Sequence, residues 1–467
     1  MTIKLFVVFT ALSGCTMIPQ YERPKAPVDS HYPVKNQSES KDVAANIAWQ
    51  DFFVDDRLKK IIELALVNNR DLRVAMLNVE QSRAQYQITR SASFPSISAG
   101  ASYTKSGGTG ITTSSIGATI SNSSATTNQW TTSLGITSYE LDFFGRVRSL
   151  NTQALESYFA TEEAQRSARI TLVAEIANQY LTLRTLEQQL EVSRQTATAL
   201  QESYRLNKVT FDAGSSNELD LRAAESQMKT AKFNTLTYER QLAQAENALV
   251  LLVGQSLPEK LPPSNISIAD CIVSEIPAGL PSDLVERRPD ILQAEHTLIA
   301  ANANIGAARA AFFPSISLTA SVGTASTQLS QLFSAGAGTW SFSPQISLPI
   351  FTGGKNTANL ESAKVGQKIA VANYEKTIQT AFHEVADALV ASKNYSDQIS
   401  VETDAIQSLR RRLEIANLRY RAGSDSYLNV LTAQQDLYSA QQTLLTTQLS
   451  KLSNQISLYK ALGGGWK

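Results

Sequence analysis

The chain has 467 residues, 42 basic and 42 acidic side chains and three histidines, and 43% of its residues are hydrophobic. Because its formal net charge is zero, it carries no overall field that would attract nucleic acid or an acidic substrate. No internal stretch reaches the roughly 18 apolar residues of a membrane-spanning helix, and its two cysteines, Cys15 and Cys271, offer neither a disulfide framework nor a CxxC metal site.

Residues 1–14 have the features of a secretory signal peptide. Lys4 precedes the apolar run LFVVFTAL, and the small residues of LSGC lead into Cys15. A basic start, a short apolar region and small residues before the cut are typical of such signals. LSGC also resembles the bacterial lipobox, in which the cysteine after the cut is lipidated. We expect a diacylglycerol and an acyl chain on Cys15, which leaves Cys271 as a packed free thiol; the alternative is a plain signal peptide with a chance cysteine.

Alternating stretches predict four strands, each with one apolar and one polar face. A helical pattern over 56–91 gives way to FPSISAGASY, in which polar residues alternate with apolar or small ones. A period of two is typical of a strand that is covered on one face. The predicted strands are about 94–106, 129–143, 313–324 and 339–351, and the polar segments 107–129 and 324–338 between them are predicted to be flexible loops.

A long helical region follows each predicted hairpin. From 148 to 210 the chain has neither proline nor glycine, and apolar residues recur at spacings of three and four. Gly214 ends this helix and a second one covers 217–252, and the second half of the chain repeats the layout around Gly423. The last helix carries a predicted coiled-coil seam, formed by Leu431, Tyr438, Leu445, Leu452 and Tyr459.

One unit of about 210 residues occurs twice in the chain, far longer than the about 20–50 residues of a solenoid repeat. The matching segments are FPSIS at 94–98 and 313–317, FDAGSS at 211–216 and YRAGSD at 420–425, and the tryptophans Trp130 and Trp340. We predict a duplicated domain, with copies at 56–254 and 286–462, that builds one pseudo-symmetric body.

Four strands with one apolar face cannot close on themselves in a membrane. Every backbone N–H and C=O in a bilayer needs a partner, and an open sheet edge leaves a row of them unpaired. Bacterial barrels begin at about eight strands, so a chain that supplies four must share its barrel with copies of itself. Trp130 and Trp340 stand at predicted strand ends, as the aromatic girdles at membrane interfaces do.

Four longer segments carry a resemblance to a known family. They are GLPSDLVERRPDI and its continuation at 279–323, SYELDFFGRVR at 138–148, YRAGSDSYLNVLTAQQDLYSAQQ at 420–442 and LYKALGGGW at 458–466. They resemble the outer-membrane factors of tripartite efflux pumps, of the OprM and TolC type. The lipobox and IPQYERP are similar to the lipoprotein branch closest to OprM, and the resemblance covers essentially the whole chain.

The resemblance implies an α+β membrane protein with the TolC-like fold. It would be a homotrimer with a shared twelve-stranded transmembrane β-barrel, four strands per chain, a long periplasmic α-helical barrel and a mixed equatorial domain. In that arrangement 15–55 would be a lipidated tether and equatorial wrap, 255–285 an equatorial linker and 463–467 a C-terminal tail. The protein would be lipid-anchored in the bacterial outer membrane, in contact with its lipid, and would extend into the periplasm.

The resemblance also places a functional site where each helical pair turns, at 211–225 and 420–436. In relatives, side chains early in the last helix narrow the pore there, and the matching leucine is Leu428. Positions that are acidic in relatives are Asn429 and Thr432 in this chain, so it departs from their charged ring.

Three charged residues near these turns are candidates for inter-helix links that hold the tip shut. They are Asp425, Arg421 and Asp220. The alternative for each is an ordinary exposed charge at a helix end, which contributes little to stability.

No catalytic constellation stands out, so we predict a protein that is not an enzyme and has no metal or cofactor besides its lipid. His31, His296 and His383 lie far apart in sequence, and HEVAD at 383–387 lacks the second histidine of a zinc-protease helix.

The main functional prediction is the outer-membrane channel of an RND-type drug efflux pump, a passive duct that works with a periplasmic adaptor and an inner-membrane transporter. The alternatives are a channel for heavy-metal efflux or type I protein secretion and, from another class, a poreless coiled-coil scaffold lipoprotein. Soft metals favour Met and Cys ligands, and four Met and two Cys disfavour direct metal handling. A passive duct needs no ligands, so the substrate stays open.

Overall fold

The computed structural model of the chain describes residues 16–29, 31–32, 47–112, 121–258, 261–262, 267–273 and 287–465, and for 108–112 and 121–125 it describes the backbone alone. The predicted lipidation site Cys15 lies outside the described residues. The chain divides into two compact units. The first is formed from Met1–Pro24, Glu80–Ala160 and Glu295–Ala372, and the second from Lys25–Val79, Thr161–Ala294 and Asn373–Lys467.

Helices make up most of the described chain. None of the described helices is long and apolar enough to cross a membrane. In chain order the elements are α1 (Trp49–Phe52), α2 (Asp56–Asn68), α3 (Arg70–Ser91), β1 (Ile97–Thr112), β2 (Ser121–Leu141), α4 (Arg146–Asp212), α5 (Glu218–Val253), α6 (Pro289–Ala310), β3 (Ser315–Ser326), β4 (Gly338–Ser347), α7 (Lys355–Arg421) and α8 (Tyr427–Ala461).

The described strands form one antiparallel sheet in the order β1-β2-β3-β4, within the first unit. Its register joins the apolar positions of neighbouring strands, through the Cα pairs Tyr103↔Trp130, Leu134↔Val322 and Val322↔Trp340. Directly opposed residues of an antiparallel pair point to the same face. Hydroxyl pairs join the strands on the opposite face, where the Oγ atoms of Ser321 and Ser341 lie 2.7 Å apart. The predicted alternation of an apolar and a polar face is therefore confirmed.

The prediction of a flexible loop over 107–129 is wrong for most of that segment. β1 continues to Thr112 and β2 begins at Ser121, with the two paired residue for residue up to these ends. Gly, Ser and Thr are common in loops, but their backbone groups complete a ladder as soon as a partner strand lies alongside. The Oγ atoms of Ser106 and Thr127, 2.8 Å apart, add a side-chain hydrogen bond across it.

The predicted loop at 324–338 is shorter and more ordered than expected. β3 ends at Ser326, β4 begins at Gly338, and a 3₁₀ turn covers Leu329–Gln331 between them. Leu332 is buried beneath this turn. β4 ends at Ser347, before the predicted limit of 351, because Pro349 lacks the N–H that would continue the ladder.

The helix predicted over 56–91 is broken at Asn69. This residue has an extended backbone, and its Oδ1 accepts a hydrogen bond from the Leu72 N–H at 2.8 Å, which caps α3. Its Nδ2 donates to the Leu252 carbonyl of α5 at 2.7 Å. Asn69 therefore stands between α2 and α3, caps α3 and connects this junction to α5.

α4 and α7 are the longest helices, with 67 residues each. At about 1.5 Å per residue, each is about 100 Å long. In the second unit, the N-terminal helices pack on α4, α5 and α8 around a core in which the rings of Phe52 and Tyr459 stack 3.9 Å apart. Tyr180 donates to Asp55 in that core, with 2.7 Å between the oxygens.

Cys271 lies fully buried in the same core. Its Sγ is 3.8 Å from Asp55 Oδ2. Burial first, and then the Asp55 carboxylate, raise the pKa of the thiol to about 11. Because the thiolate is the reactive form, Cys271 is a packed and unreactive thiol at neutral pH, as the sequence suggested.

An extended segment, residues 16–24, lies along α6 in the first unit; we call it the strap. Its strongest contact is a fork between Arg23 and the buried Glu295, with Arg23 Nε 2.7 Å from Oε1 and a terminal nitrogen 2.9 Å from Oε2. The Tyr21 hydroxyl donates to the same carboxylate at 3.0 Å. Three donors thus satisfy a carboxylate that would be costly to bury alone.

The strap continues antiparallel to α6 beyond this fork. Asn302 donates to the Pro19 carbonyl at 2.8 Å and Arg309 to the Met17 carbonyl at 3.3 Å. A Cβ at Gly306 would lie 2.9 Å from a strap backbone nitrogen, so only glycine permits this approach. The N-terminal end of the strap therefore lies beside the C-terminus of α6, a few residues before β3.

Candidate functional site

Two glycine turns form the tips of the long hairpins. In the first, between α4 and α5, the Gly214 N–H donates to Phe211 O at 2.8 Å and the Ser215 N–H to Thr210 O at 2.9 Å. In the second, between α7 and α8, the corresponding Gly423 N–H donates to Tyr420 O at 2.9 Å. These are Schellman turns, which need the positive φ that glycine supplies, here +74° at Gly214 and +69° at Gly423.

The inner side of the tip is an apolar cluster shared by all four long helices. Its buried members are Leu200, Ala224, Ala231, Ala416, Tyr427, Val430, Leu431 and Ala433. Alanines at the contact allow the helices to approach closely. The predicted seam of α8 begins in this cluster at Leu431, and its residues Leu452 and Tyr459 are buried farther along.

Two tyrosines connect α7 and α8 to α4 at this level. The Tyr427 and Ser203 hydroxyl oxygens are 2.6 Å apart, and the Tyr420 hydroxyl donates to Asn207 Oδ1 at 3.1 Å. The two tyrosine rings lie 5.1 Å apart. Burial is the main cause that raises the pKa of both phenols, so both remain protonated at neutral pH.

Leu428, the predicted constriction residue, lies in the first turn of α8 but outside the buried cluster. Its side chain is 65% exposed, whereas its neighbour Tyr427 is 2% exposed. Thr432, one turn later, donates to the Leu428 carbonyl at 2.9 Å, and Asn429 is exposed beside them. The three predicted pore residues therefore stand together on a surface that this chain does not cover. Their role in a constriction stays a prediction.

The Asp425 carboxylate is held by its own hairpin. Asn429 Nδ2 donates to Asp425 Oδ1 at 2.5 Å, and the Ser426 N–H donates to the same oxygen at 2.8 Å. Arg419 Nε lies 3.2 Å from Oδ2. The Asn429 amide, then the Ser426 N–H, lower the pKa of Asp425.

The other two residues proposed for inter-helix links lie apart from this ion pair. Asp220 accepts from Asn217 Nδ2 at 3.1 Å and is part of the cap of α5. Among the described residues, Arg421 forms no ion pair with either aspartate, and the arginine that pairs with Asp425 is Arg419. Links between copies of the chain stay a prediction.

Four contact residues of the tip were not found from the sequence: Ser203, Asn207, Tyr420 and Tyr427. The repeat contained a signal for two of them. Tyr420 stands where the first copy has Phe211, and Tyr427 where it has Glu218. The same alignment pairs Leu428 with Leu219, which is 77% exposed at the start of α5.

The two predicted interface tryptophans lie on the apolar face of the sheet. The ring of Trp130 is 4.4 Å from that of Tyr103, and Trp340 is 80% exposed on β4. In the part of the chain that the structure describes, no three or more His, Cys, Asp or Glu residues are grouped so that they could hold a metal ion.

Comparison with known proteins gives consistent matches. A family model described as outer membrane efflux protein matches residues 61–255 and 280–464. The antibiotic efflux pump outer membrane protein ArpC of Pseudomonas putida is 46% identical over 468 residues, 99% of this chain and 95% of that protein. The cation efflux system protein CusC of Escherichia coli is 43% identical over 465 residues, 99% of this chain and 98% of that protein.

A solved structure gives the same result. The open state of the Neisseria gonorrhoeae MtrE outer membrane channel has a TM-score of 0.87 at 39% identity, and the match covers 97% of this chain and 99% of that one. The sheet of four strands and the long helices are those of a TolC-like channel. Because the matched proteins are channels, the alternative of a poreless scaffold is wrong. The chain belongs to the outer membrane efflux protein family and is a channel of the bacterial outer membrane, not an enzyme.

Proposed function

We propose that three copies of the chain form the outer-membrane duct of an RND-type tripartite pump that exports drugs and other small toxic compounds. A periplasmic adaptor joins the duct to an inner-membrane transporter, which supplies the energy. The observation that carries the proposal is the four-stranded sheet, in which β1 and β4 are edges and one face is apolar.

The two sheet edges require other copies of the chain. An edge in the hydrocarbon region leaves its backbone groups unpaired, at a cost of several kcal/mol for each group. Three sheets of four strands joined edge to edge close a twelve-stranded barrel within the size range of bacterial barrels. Native mass spectrometry in detergent should give three chains. A monomer that keeps its full strand content would contradict the proposal.

Drug-type substrates fit the composition of the chain and one group of relatives. ArpC is named for antibiotic efflux, and this chain has four Met and two Cys residues to offer a soft metal. A heavy-metal duct is the second candidate, because CusC is named for cation efflux at nearly the same identity. A passive duct does not need to bind what it conducts, so its partners decide the substrate.

A susceptibility profile distinguishes the two candidates. The gene is deleted and restored on a plasmid, and growth is measured against lipophilic antibiotics, detergents, solvents, Cu and Ag. The drug-type proposal expects the deletion to sensitise cells to several drugs and the plasmid to reverse this. Sensitivity to the metals alone would replace it with the second candidate.

We further propose that Leu428 narrows the resting pore, once per subunit. Its exposure on a surface that the chain itself leaves open supports this role. A ring of leucines in a narrow throat excludes water, so hydrated ions meet a dry barrier. Asn429 and Thr432 place no charge beside that ring. Closure therefore depends on packing more than on charge.

Lipidation of Cys15 completes the proposal. The strap supports it, because Met17 is held beside Arg309, close to the start of β3 and hence to the membrane boundary. Several acyl chains anchor firmly, yet the barrel also holds the protein in the membrane. Cys15→Ser should therefore remove the lipid and leave much of the trimer assembled. Intact-mass analysis that finds an unmodified mature Cys15 in the wild type would overturn this point.

A further inference from the structure

The two strand hairpins are almost free of charge. From Ile97 to Leu141 and from Ser315 to Ser347 the sequence has two ionisable groups of the Asp, Glu, Lys, Arg and His types, Lys105 and Glu140. Glu140 is neutralised at the helix end of the sheet, where it accepts from Arg146 Nε at 2.8 Å. Lys105 is exposed and forms no ion pair with the described residues. It is the one strand charge left for another partner.

Strand parity places Lys105 on the lipid-facing side. It follows Ile97, Ala99, Ala101 and Tyr103 at every second position of β1. Its Cα partner on β2 is Asn128, and the preceding pair on this face is Tyr103 and Trp130. The apolar stripe thus ends in an aromatic pair, and the next step along the same face is a cation opposite a carboxamide.

The aromatic pair fixes the depth of Lys105. Tyrosine and tryptophan concentrate where the hydrocarbon meets the headgroups. Lys105 lies farther from the helices than this pair, because β1 leaves α3 at Ile97 and runs away from it. The helices of an outer-membrane efflux channel extend into the periplasm. Lys105 therefore lies on the external side, at the level of the outer-leaflet headgroups.

A second donor stands beside the ammonium group. The Tyr103 hydroxyl donates to Asn128 Oδ1 at 3.1 Å, which orients that carboxamide. Its Nδ2 is then a donor next to the cross-strand neighbour Lys105. One cation and one amide donor above two packed rings suit an anionic oxygen on a molecule whose apolar part lies against the rings.

We propose that Lys105, Asn128, Tyr103 and Trp130 form a site on the outside of the barrel for the phosphate group of an outer-leaflet glycolipid, one site per subunit. The proposal rests on the outer-membrane barrel proposed above. An attraction of this kind is weak in bulk water, but one lysine near an anionic membrane surface strengthens binding about fivefold. Three sites around the barrel would hold it at a fixed depth in an otherwise uncharged belt.

The test uses the full-length trimer in detergent and native mass spectrometry, which counts bound lipids. The probes are bisphosphorylated lipid A and the same lipid without phosphates. The variants are Lys105→Gln and Lys105→Arg, and Lys368→Gln is the control, since Lys368 is also exposed but lies on α7, outside the strands. Trimer assembly, read in the same spectra, tests the oligomer separately from the lipid site.

The proposal expects up to three phosphorylated lipids per wild-type trimer and weaker binding of the dephosphorylated lipid. Lys105→Gln should weaken binding of the phosphorylated lipid about fivefold per site, while Lys105→Arg and Lys368→Gln should bind like the wild type. Equal affinity of assembled wild-type and Lys105→Gln trimers, or no preference of the wild type for the phosphorylated lipid, would overturn it. Failure of the wild type and of every variant to form trimers would instead contradict the proposed oligomer.

Discussion

The two hairpin tips share a turn but differ in what they contact. Both close on a glycine at positive φ and both expose a leucine in the first turn of the returning helix. At the first tip, α5 begins with charges paired along its own surface, Arg222 with Glu218 and Glu225 at 3.3 and 2.9 Å. At the second tip, the residue in place of Glu218 is Tyr427, which is buried and bonded to α4.

The two copies of the repeated unit therefore have different roles at the tip. At the first tip, the ion pairs at the start of α5 lie within that helix and, because they are exposed, contribute little to stability. The second tip is held by packing on the first, through Tyr420 and Tyr427. Loss of that packing would therefore separate the second hairpin, which carries Leu428, from the first. Four predictions test this asymmetry.

The largest effect is expected for Tyr427→Ala. Removing a buried aromatic ring costs about 3–5 kcal/mol, and it also leaves Ser203 without its partner. Hydrogen exchange should become much faster over 424–440. The matched change Glu218→Ala at the first tip should alter stability by less than about 0.5 kcal/mol. Similar exchange in the two variants would remove the asymmetry.

Leu428→Ala should have the next largest effect. Widening an apolar throat lets water and ions enter, so the resting single-channel conductance should rise several-fold, and bulky antibiotics should enter cells from outside. The control is Leu219→Ala, the same change at the equivalent position of the first tip. If Leu219→Ala opens the channel as much as Leu428→Ala does, both tips line the throat and the two hairpins do not differ in this role.

Thr432→Asp should give the second tip a charged ring. Wild-type current should be blocked weakly by multivalent cations. Three added carboxylates should strengthen the block about tenfold, which corresponds to about 1.4 kcal/mol, while Thr432→Asn should leave it unchanged. Dose–response curves for a trivalent cation measure both. Tight block of the wild type that Asp425→Asn abolishes would mean that Asp425 already supplies the ring.

The smallest effect concerns the pH dependence of the second tip. The pKa of Asp425 is lowered by the Asn429 amide and the Ser426 N–H, below an ordinary value of 3.8. A carboxylate with a lowered pKa adds stability above its ordinary pKa and loses it as the pH falls through the lowered one. Conductance should therefore be the same at about pH 7 and pH 5.

Asn429→Ala sharpens this last test, since it removes the main cause of the lowered pKa. Any opening in acid should then begin at a higher pH than in the wild type, by a fraction of a unit, with no change at neutral pH. The first tip offers the control Asn217→Ala, which affects the cap of α5 instead. An onset of opening that does not move in Asn429→Ala would separate Asp425 from the closure of the tip.

The features that could be predicted from the sequence are those that depend on a pattern within one segment. The faces of β3 and the seam of α8 follow from periods of two and of about 3.5, which each segment carries by itself. The contact of Asn69 with α5 could not be predicted, because Leu252, which accepts from its side chain, lies far along the chain. Segment 107–129 has the composition of a loop, yet its residues 107–112 and 121–129 are strand because each continues the pairing of β1 with β2.

The contacts at the tip were beyond local pattern for a similar reason. Whether Asp425 pairs with Arg419 or Arg421 depends on the direction each arginine takes at the last turn of α7, which the Gly423 turn fixes. The inward role of Tyr427 depends on Ser203 of another helix. Only the repeat indicated this contact, since Tyr427 stands in the place of Glu218 and a tyrosine in place of a charged residue favours a buried surface.

The strap has a mechanical consequence. It lies antiparallel to α6, with Met17 beside the end of α6 that leads into β3 and Arg23 nearer the start of α6. A pull on the N-terminus in the direction of β3 acts along the strap, so the contacts at Glu295, Asn302 and Arg309 bear the load together in shear. A pull in the perpendicular direction would break them one after another. The attachment is therefore strongest against a force on the N-terminus that is directed along α6 toward the sheet.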